Sequence, residues 1–288
     1  MFHICNTLET ETFMENVLVI KANGEKENFS EHKLRHSISR AGVPKELHDA
    51  AVVHIKNNLY NNISTLEIYD HILEYLGNSR FPHAGGRFSL KKAIMDLGPT
   101  GFPFEKFIAA ILREHGFSIV TDSMVNGLCV AHEVDVIAQK DGTKIMIECK
   151  FHNNIGNRTD IKVALYVMAR YQDLTAGLLN RSNAVKFNEV WLVTNTKCSQ
   201  DAILYAQCMG MKIISWGYPE KGNLQDLVES EKLHPVTCLT SISPSQKKIL
   251  LDNNIVLAKE LLKKQMFLDI LNLPHKQKES LLAEIKEL

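Results

Sequence analysis

The stretch HEVDVIAQKDGTKIMIECKFH, residues 132–152, decides the fold. Two apolar runs, VDVIA and IMIEC, read as strands, and Asp141-Gly142 between them is a hairpin signal. Yet Asp135 sits inside the first run, and Glu148 and Lys150 close the second. Side chains alternate faces along a strand, so Glu148 and Lys150 share one face while Cys149 points to the other. A turn centred between 141 and 142 pairs residues whose numbers sum to 283, and 135 and 148 have that sum. Asp135 and Glu148 are therefore predicted to be opposite neighbours on one sheet face. Adjacent carboxylates repel unless something positive stands between them. A hard divalent cation, Mg2+ or Mn2+, is one solution; a buried ion pair of Lys150 with one of the acids is another. Beside a metal, Lys150 would orient the attacking water, lower its pKa, or stabilise charge developing on phosphate. Acid, acid, lysine and metal together fit hydrolysis of a phosphodiester.

Working outward, FEKFIAAILREHG before this stretch has apolar residues at helical spacing and stops at Gly116. FSIVTD reads as a strand. After the stretch come a long helix (DIKVALYVMARYQDLTAGLL), a strand (EVWLVTN), a helix (SQDAILYAQCMG) and a strand (KIISW). The order αβββαβαβ describes a mixed sheet flanked by helices, an α/β (α+β) architecture. On its own strand Glu133 shares a face with Asp135, and His132 points the other way. His152 shares a face with Lys150 at the strand's end.

These residues carry a resemblance. Asp135, twelve intervening residues and then Glu148-Cys149-Lys150 resemble the PD-(D/E)xK motif, and FPFEKFIAAILREHGF is similar to the helix that precedes it in Mrr-like restriction endonucleases. VWLVTNTKCSQDAILYAQCMGMKIISW is also similar to that family's strand ending in Thr-Asn, alanine-containing helix and closing strand. The resemblance covers about residues 100–219 and implies a restriction-endonuclease-like fold. It further implies that Asp135 and Glu148 bind metal, that Lys150 serves the nucleophilic water, and that Glu105 is a fourth catalytic residue, a metal-linked acid or one just behind the metal ligands. From Lys150 to Lys186 six basic residues (Lys150, Arg158, Lys162, Arg170, Arg181, Lys186) face two acids (Asp160, Asp173), which suits backbone contacts on DNA or a solvated helix face. NNIGNR, at 153–158, would place a phosphate at the next helix N-terminus.

Toward the N-terminus, VLVIKANGEKENFS reads as two short strands about a turn at Asn23-Gly24. Three helices follow, the first capped by Ser30 and ended by Gly42, the third with Ser64 and Glu67 at capping-box spacing. This ββααα block, about 17–90, resembles the ATP-cone domain in Lys21, Gly24, Phe29 and Lys33. Ala22 and Asn23 stand where the family pattern has arginine and aspartate. The resemblance implies an ATP or dATP site with Lys21, Gly24 and Lys33 as binding residues. Between the blocks, residues 80–92 hold Arg80, Arg87, Lys91 and Lys92 and no acid, either a solvated linker or a phosphate-contacting strip. Residues 233–288 read as a small helical domain, with Ser243, Pro244 and Gln246 opening a capped helix. LTSISPSQKKILLDNNIVLAKEL there resembles a helix-hairpin-helix module, though without its Gly-rich hairpin. Five lysines against two acids from 247 to 264 suit nucleic acid or a solvated bundle.

The bulk properties are compatible with this. The 288 residues are 45% hydrophobic, enough for sizeable cores, and Lys+Arg balance Asp+Glu at 33 each, so a nucleic-acid surface must be local. The six cysteines (5, 129, 149, 198, 208, 238) form no CxxC pair, which argues against a zinc ribbon and fits reduced thiols. Neither a signal peptide nor a membrane span is legible. The expectation is a cytoplasmic, metal-dependent DNA endonuclease controlled by ATP or dATP, dimeric because two strands need cutting. A Holliday-junction-resolving nuclease and a catalytically inactive, nucleotide-responsive DNA-binding regulator are the alternatives.

Overall fold

The computed structural model describes residues 17–22, 24–40, 43–79, 84–154, 156–177, 185–263 and 265–288. Cys5, Asn23, Gly42, Arg80 and Arg181, all singled out above, lie outside them, as does the side chain of Arg87. The chain divides into two compact units, residues 1–90 with 286–288, and residues 91–285.

In the first unit, β1 (Leu18–Ile20) pairs antiparallel with β2 (Lys26–Asn28) and parallel with β3 (Ile63–Ser64). The helices are α1 (Glu31–Arg40), α2 (His48–Asn57), α3 (Thr65–Gly77) and the short α4 (Ala84–Phe88). The predicted ββααα order holds with β3 inserted, a two-residue strand too short to show periodicity. Ser30 accepts the Lys33 amide at 3.3 Å and Ser64 the Glu67 amide at 3.0 Å, as the cap signals predicted. The Glu67 carboxylate accepts the Tyr60 hydroxyl at 2.6 Å. Ala51 and Ile55 on α2 and Ile68, Ile72 and Leu76 on α3 recur every fourth residue and are buried in one core with Val19, Ile38 and Ile63.

The second unit carries the sheet that the hairpin decided. Its strands are β4 (Ser118–Asn126), β5 (Ala131–Lys140), β6 (Thr143–Lys150), β8 (Glu189–Thr194) and β10 (Lys212–Ile214), in the order β10-β8-β6-β5-β4. The β4-β5-β6 meander is antiparallel; β8 and β10 join parallel to β6. Two two-residue strands, β7 (Arg158–Thr159) and β9 (Lys197–Cys198), pair beside it. Asp141 and Gly142 both have positive φ, 50° and 79°, as a tight two-residue turn requires. The ladder runs from Lys140↔Thr143 to Val136↔Ile147, and every pair has the predicted sum of 283.

Helix α5 (Leu90–Met95) precedes α6 (Phe102–Glu114), and α7 (Ile161–Ala176) and α8 (Gln200–Met209) connect the parallel strands. On α6, Phe104, Phe107, Ile108 and Ile111 form the buried stripe, each side chain worth about 1.5–3 kcal/mol of burial. The tail forms α9 (Leu224–Glu229), α10 (Pro244–Asp252), α11 (Glu260–Lys263), α12 (Gln265–Ile270) and α13 (His275–Glu287). Ser243 and Gln246 make the full reciprocal capping box at α10. Lys259 and Lys263 each pair with Glu114 of α6 at 2.8 Å, and Lys247 donates to the Thr237 carbonyl at 2.9 Å. Three of the five tail lysines are thus spent inside the fold and are not a free strip for nucleic acid. The wholly buried Glu284 accepts the amides of Thr240 and Ser241 as well as both hydroxyls. A carboxylate so placed occupies amides that a phosphate-binding hairpin would have to present.

Candidate active site

Three carboxylates are brought together in the second unit by three different elements. Asp135 is on β5, Glu148 on β6 and Glu105 in the first turn of α6. Asp135 stands one step beyond the last β5-β6 rung, and its Oδ2 accepts the Cys149 amide at 2.7 Å. On the other side of β5, Asp122 interrupts the β4 pairing with φ 55°, and its carboxylate is bonded to Lys106. Glycines let α6 approach: a Cβ on Gly98 would lie 2.8 Å from the Phe151 ring, and one on Gly101 3.2 Å from the Glu105 carboxylate.

The acids feel one another. Burial pushes Glu148 up to about 7, and the Asp135 charge adds to it against the opposing Arg170. Glu105 is also pushed up to about 7, by burial first and then by Asp135 and Asp122. Asp135 is raised by burial although the Cys149 amide works the other way. Arg170, on α7 and buried, is bonded to Glu148 and lies over the Tyr166 ring at 5.2 Å. The ion pair to Glu148 therefore comes from Arg170, and Lys150, expected as one candidate partner, is exposed. Among the described residues, Arg170 and Lys106 face Glu105, Asp135, Glu148 and Asp122, two cations against four carboxylates, which leaves the site deficient in positive charge. Its donor set, all oxygen, fits a hard divalent ion held by Asp135 and Glu148 with Glu105 beside them.

A polar network fixes the end of the strand that carries Glu148 and Lys150. Buried Asn195, just beyond β8, accepts the His152 amide at 2.9 Å and donates to the His152 carbonyl at 2.8 Å. The His152 ring bonds Thr159 Oγ1 at 2.9 Å, and Thr159 donates to Thr194 Oγ1 at 3.0 Å. Sequence pattern marked Thr-Asn at the strand end without indicating this role, since the contact spans 43 residues. His132 bonds Asp173 at 2.7 Å, and Asp173 also accepts the Cys129 amide at 2.8 Å, so this pair secures the β4-β5 loop to α7. Glu133 is exposed.

Several basic residues expected to steer DNA do something else. Arg170 is buried against Glu148. The amides opening α7, offered above to a phosphate, are taken by Asp160, which accepts from Lys162 and Val163 at 3.0 and 3.4 Å. Lys91 is largely enclosed, 5.7 Å from the Trp216 ring centre, and burial followed by nearby Lys197 pushes its pKa down to about 8. Lys150, Arg158 and Lys162 are exposed.

In the first unit, Lys21 and Lys33 converge. The Nζ atoms of both lie 2.9 Å from the same Glu27 oxygen, and Lys21 is also 3.6 Å from Glu25. The Lys33 and then the Lys21 hydrogen bonds hold the Glu27 carboxyl below the usual range. Gly24, with φ 84°, turns the chain between β1 and β2, its amide donating to the Lys21 carbonyl at 2.9 Å.

Fold and site define the class: a restriction-endonuclease-like nuclease domain joined to an ATP cone. The family model "Restriction endonuclease" matches residues 99–216, "ATP cone domain" matches 17–89, and "AF1548-like, C-terminal" matches 234–288. The chain is 35% identical to AF1548, solved as a protein of unknown function, covering 65% of this chain and 97% of that one with a TM-score of 0.53. An uncharacterized protein of Archaeoglobus fulgidus is 44% identical over 132 residues, 46% of this chain and 71% of its own length. The chain belongs to the AF1548-like family. Can2 from Sulfobacillus thermosulfidooxidans, solved with cyclic tetra-adenylate, has 12% identity and a TM-score of 0.30 over 72% of this chain and 64% of its own, a likeness that carries no argument.

Proposed function

We propose that this protein is a metal-dependent DNA endonuclease whose activity responds to ATP or dATP. The observation that carries the reading is the meeting of Glu105, Asp135 and Glu148 at the nuclease-family sheet, whose strand β6 carries both Glu148 and Lys150, with Arg170 as a buried counter-charge. Asp135 and Glu148 would hold Mg2+ or Mn2+. When bound, that ion supplies Lewis-acid stabilisation of the charge that develops on the phosphate. Glu105 extends the negative site and, with a pKa near 7, holds or releases a proton there. The Lys150 amine, on the residue next but one to Glu148 along β6, would orient the attacking water. Asn195 keeps that strand end from drifting. Cutting both strands of a duplex favours a homodimer.

In the cone, Lys21 and Lys33 already share one anionic oxygen, so a nucleotide phosphate would take the position of the Glu27 carboxylate. Exposed ion pairs of this kind are weak enough to exchange.

The test is incubation of plasmid, branched and methylated DNA with Mg2+, using wild type, Asp135→Ala and Lys150→Ala. Cleavage by wild type and its loss in both variants is expected. Wild type leaving all three substrates intact would remove the enzyme reading. Calorimetric titration with ATP and dATP tests the cone, and no heat with either would overturn the assignment of Lys21 and Lys33. Among the described residues, no helix is long and apolar enough to cross a membrane.

A further inference from the structure

A second cluster of metal-ligating side chains lies in the first unit, remote in sequence from the carboxylates. His54 on α2 and His71 and Glu74 on α3 bring one donor atom each within 4.8 Å of one another. Among the described residues these are the three that converge so closely. The nuclease carboxylates do not, because Glu148 is turned onto Arg170 and Asp135 onto the Cys149 amide.

The placement follows from the helix pattern. Ile68, Ile72 and Leu76 form the buried stripe of α3, and His71 and Glu74, three residues apart, flank it on neighbouring turns. Ala51 and Ile55 do the same for α2, and His54 lies next to Ile55 at the rim of that interface. The two imidazoles meet edge to face with centroids 6.3 Å apart, and Tyr75 tilts against His54 at 5.4 Å. His71 Nδ1 stands 3.9 Å from a Glu74 oxygen.

A second observation concerns the same histidine. His54 Nε2 is shut off from solvent and has no hydrogen-bond partner. Leaving a buried ring nitrogen unpaired is unfavourable, and a site that retains one needs a reason. A metal ion accepting its lone pair supplies that reason.

We propose that His54, His71 and Glu74 bind a divalent transition-metal ion of the zinc type. Two imidazoles and a carboxylate suit Zn2+ and its borderline neighbours and do not suit Mg2+. Donors around a tetrahedral ion with bonds of about 2.0–2.1 Å lie roughly 3.3 Å apart, so the set must tighten by small side-chain rotations. The Glu74 side chain is 67% exposed, so the carboxylate is free to move inward. Three protein donors leave a fourth position of a tetrahedral ion for water. Binding would clamp α2 to α3 and so stabilise the unit that carries Lys21 and Lys33.

The experiment is calorimetry of the full-length, EDTA-stripped protein with ZnCl2, followed by CoCl2 titration read as visible d–d absorption. Four variants accompany wild type: His71→Ala, Glu74→Gln, His36→Ala and Asp135→Asn. His36 controls for the exposed His32–His36 pair on α1, whose rings stack at 6.5 Å. Asp135→Asn removes metal binding at the carboxylate site. Wild type should bind one Zn2+ that is retained in His36→Ala and Asp135→Asn. That equivalent should weaken at least about 10-fold in Glu74→Gln and about 100-fold in His71→Ala, at or beyond what outer-sphere changes cost. Glu74→Gln keeps the test valid should His71→Ala unfold, since its side chain is mostly solvated. Unchanged Zn2+ binding in Glu74→Gln, loss of the site in His36→Ala or Asp135→Asn instead, or no binding by wild type would each overturn the proposal. None of these outcomes bears on DNA cleavage, so this site and the nuclease reading stand or fall separately.

Discussion

The two units hold mirror-image charge clusters. In the cone, two lysines close on one glutamate; in the nuclease unit, Arg170 is bonded to Glu148 and also opposes the charge of Asp135, with Glu105 beside them. Each cluster has one sign in excess, and a side chain of the opposite sign stands where a ligand's charge would go: Glu27 for a phosphate, Arg170 for a metal ion. The difference lies in solvent. The cone lysines are exposed, so their energies are small and screened by salt. Arg170 and Glu148 are largely buried, so the pair bears on folding, and the guanidinium opposes the rise that burial imposes on the Glu148 carboxyl. The same electrostatic logic yields surface ion pairs in one place and a buried, strongly perturbed site in the other.

The largest effect should come from the buried cluster's chemistry. Lys150→Ala should lower the rate of phosphodiester cleavage about 10²–10⁴-fold, the range of a lost proton-handling group, measured as plasmid nicking with saturating Mg2+. Retention of full activity would show that Lys150 only decorates the strand end.

Next comes folding. Arg170→Met removes the buried cation paired with Glu148 and should destabilise the metal-free protein by about 3 kcal/mol or more in urea. Mg2+ should restore part of that loss by taking over the charge. If Mg2+ helps wild type and the variant equally, Arg170 is not standing in for the ion.

A pH effect should follow. Glu105 and Glu148 have folded-state values near 7 against an ordinary 4.5, so the folded protein holds their protons more tightly than the unfolded chain does. Their contribution is fully present below about pH 4.5 and is lost as pH rises through 7. The Tm of metal-free protein should therefore fall between pH 5 and 8 more steeply than that of the Asp135→Asn variant, whose acids repel less. Added Mg2+ should flatten the wild-type curve.

The smallest effect belongs to the cone. Glu27→Gln should leave Tm almost unchanged and raise ATP or dATP affinity a few-fold, with the gain disappearing at high salt. A weaker rather than tighter nucleotide affinity would mean that Glu27 helps to position the lysines and does not compete for them.

How much of this was legible varies by the range of the interaction. The Ser30, Ser64 and Ser243 caps, the Asp141-Gly142 turn and the β5-β6 register all depend on residues within a few positions of one another, and each was found as read. The short strands β3, β7 and β9 were missed because two residues carry no period. The helix bearing Arg170 was predicted; its burial against Glu148, 22 residues away, was not, and a count of basic residues left it on either a DNA-facing or a solvated helix face. For Lys91, Lys247, Lys259 and Lys263 the sequence left a solvated and a phosphate-binding role open, because a lysine's charge says nothing about which neighbour the fold will supply.

The sequence by itself determined that Asp135 and Glu148 meet on one face, because strand alternation and a two-residue turn leave no freedom in the register. It also determined that Glu105 rides on the preceding helix. Only the tertiary structure decided that Arg170 answers Glu148, that Asn195 clamps the end of the Lys150 strand, and that His54 meets His71 and Glu74 with a ring nitrogen unpaired. These depend on how helices pack across a sheet or against each other, and packing is set by the sum of many apolar contacts, none of which any short window of sequence contains.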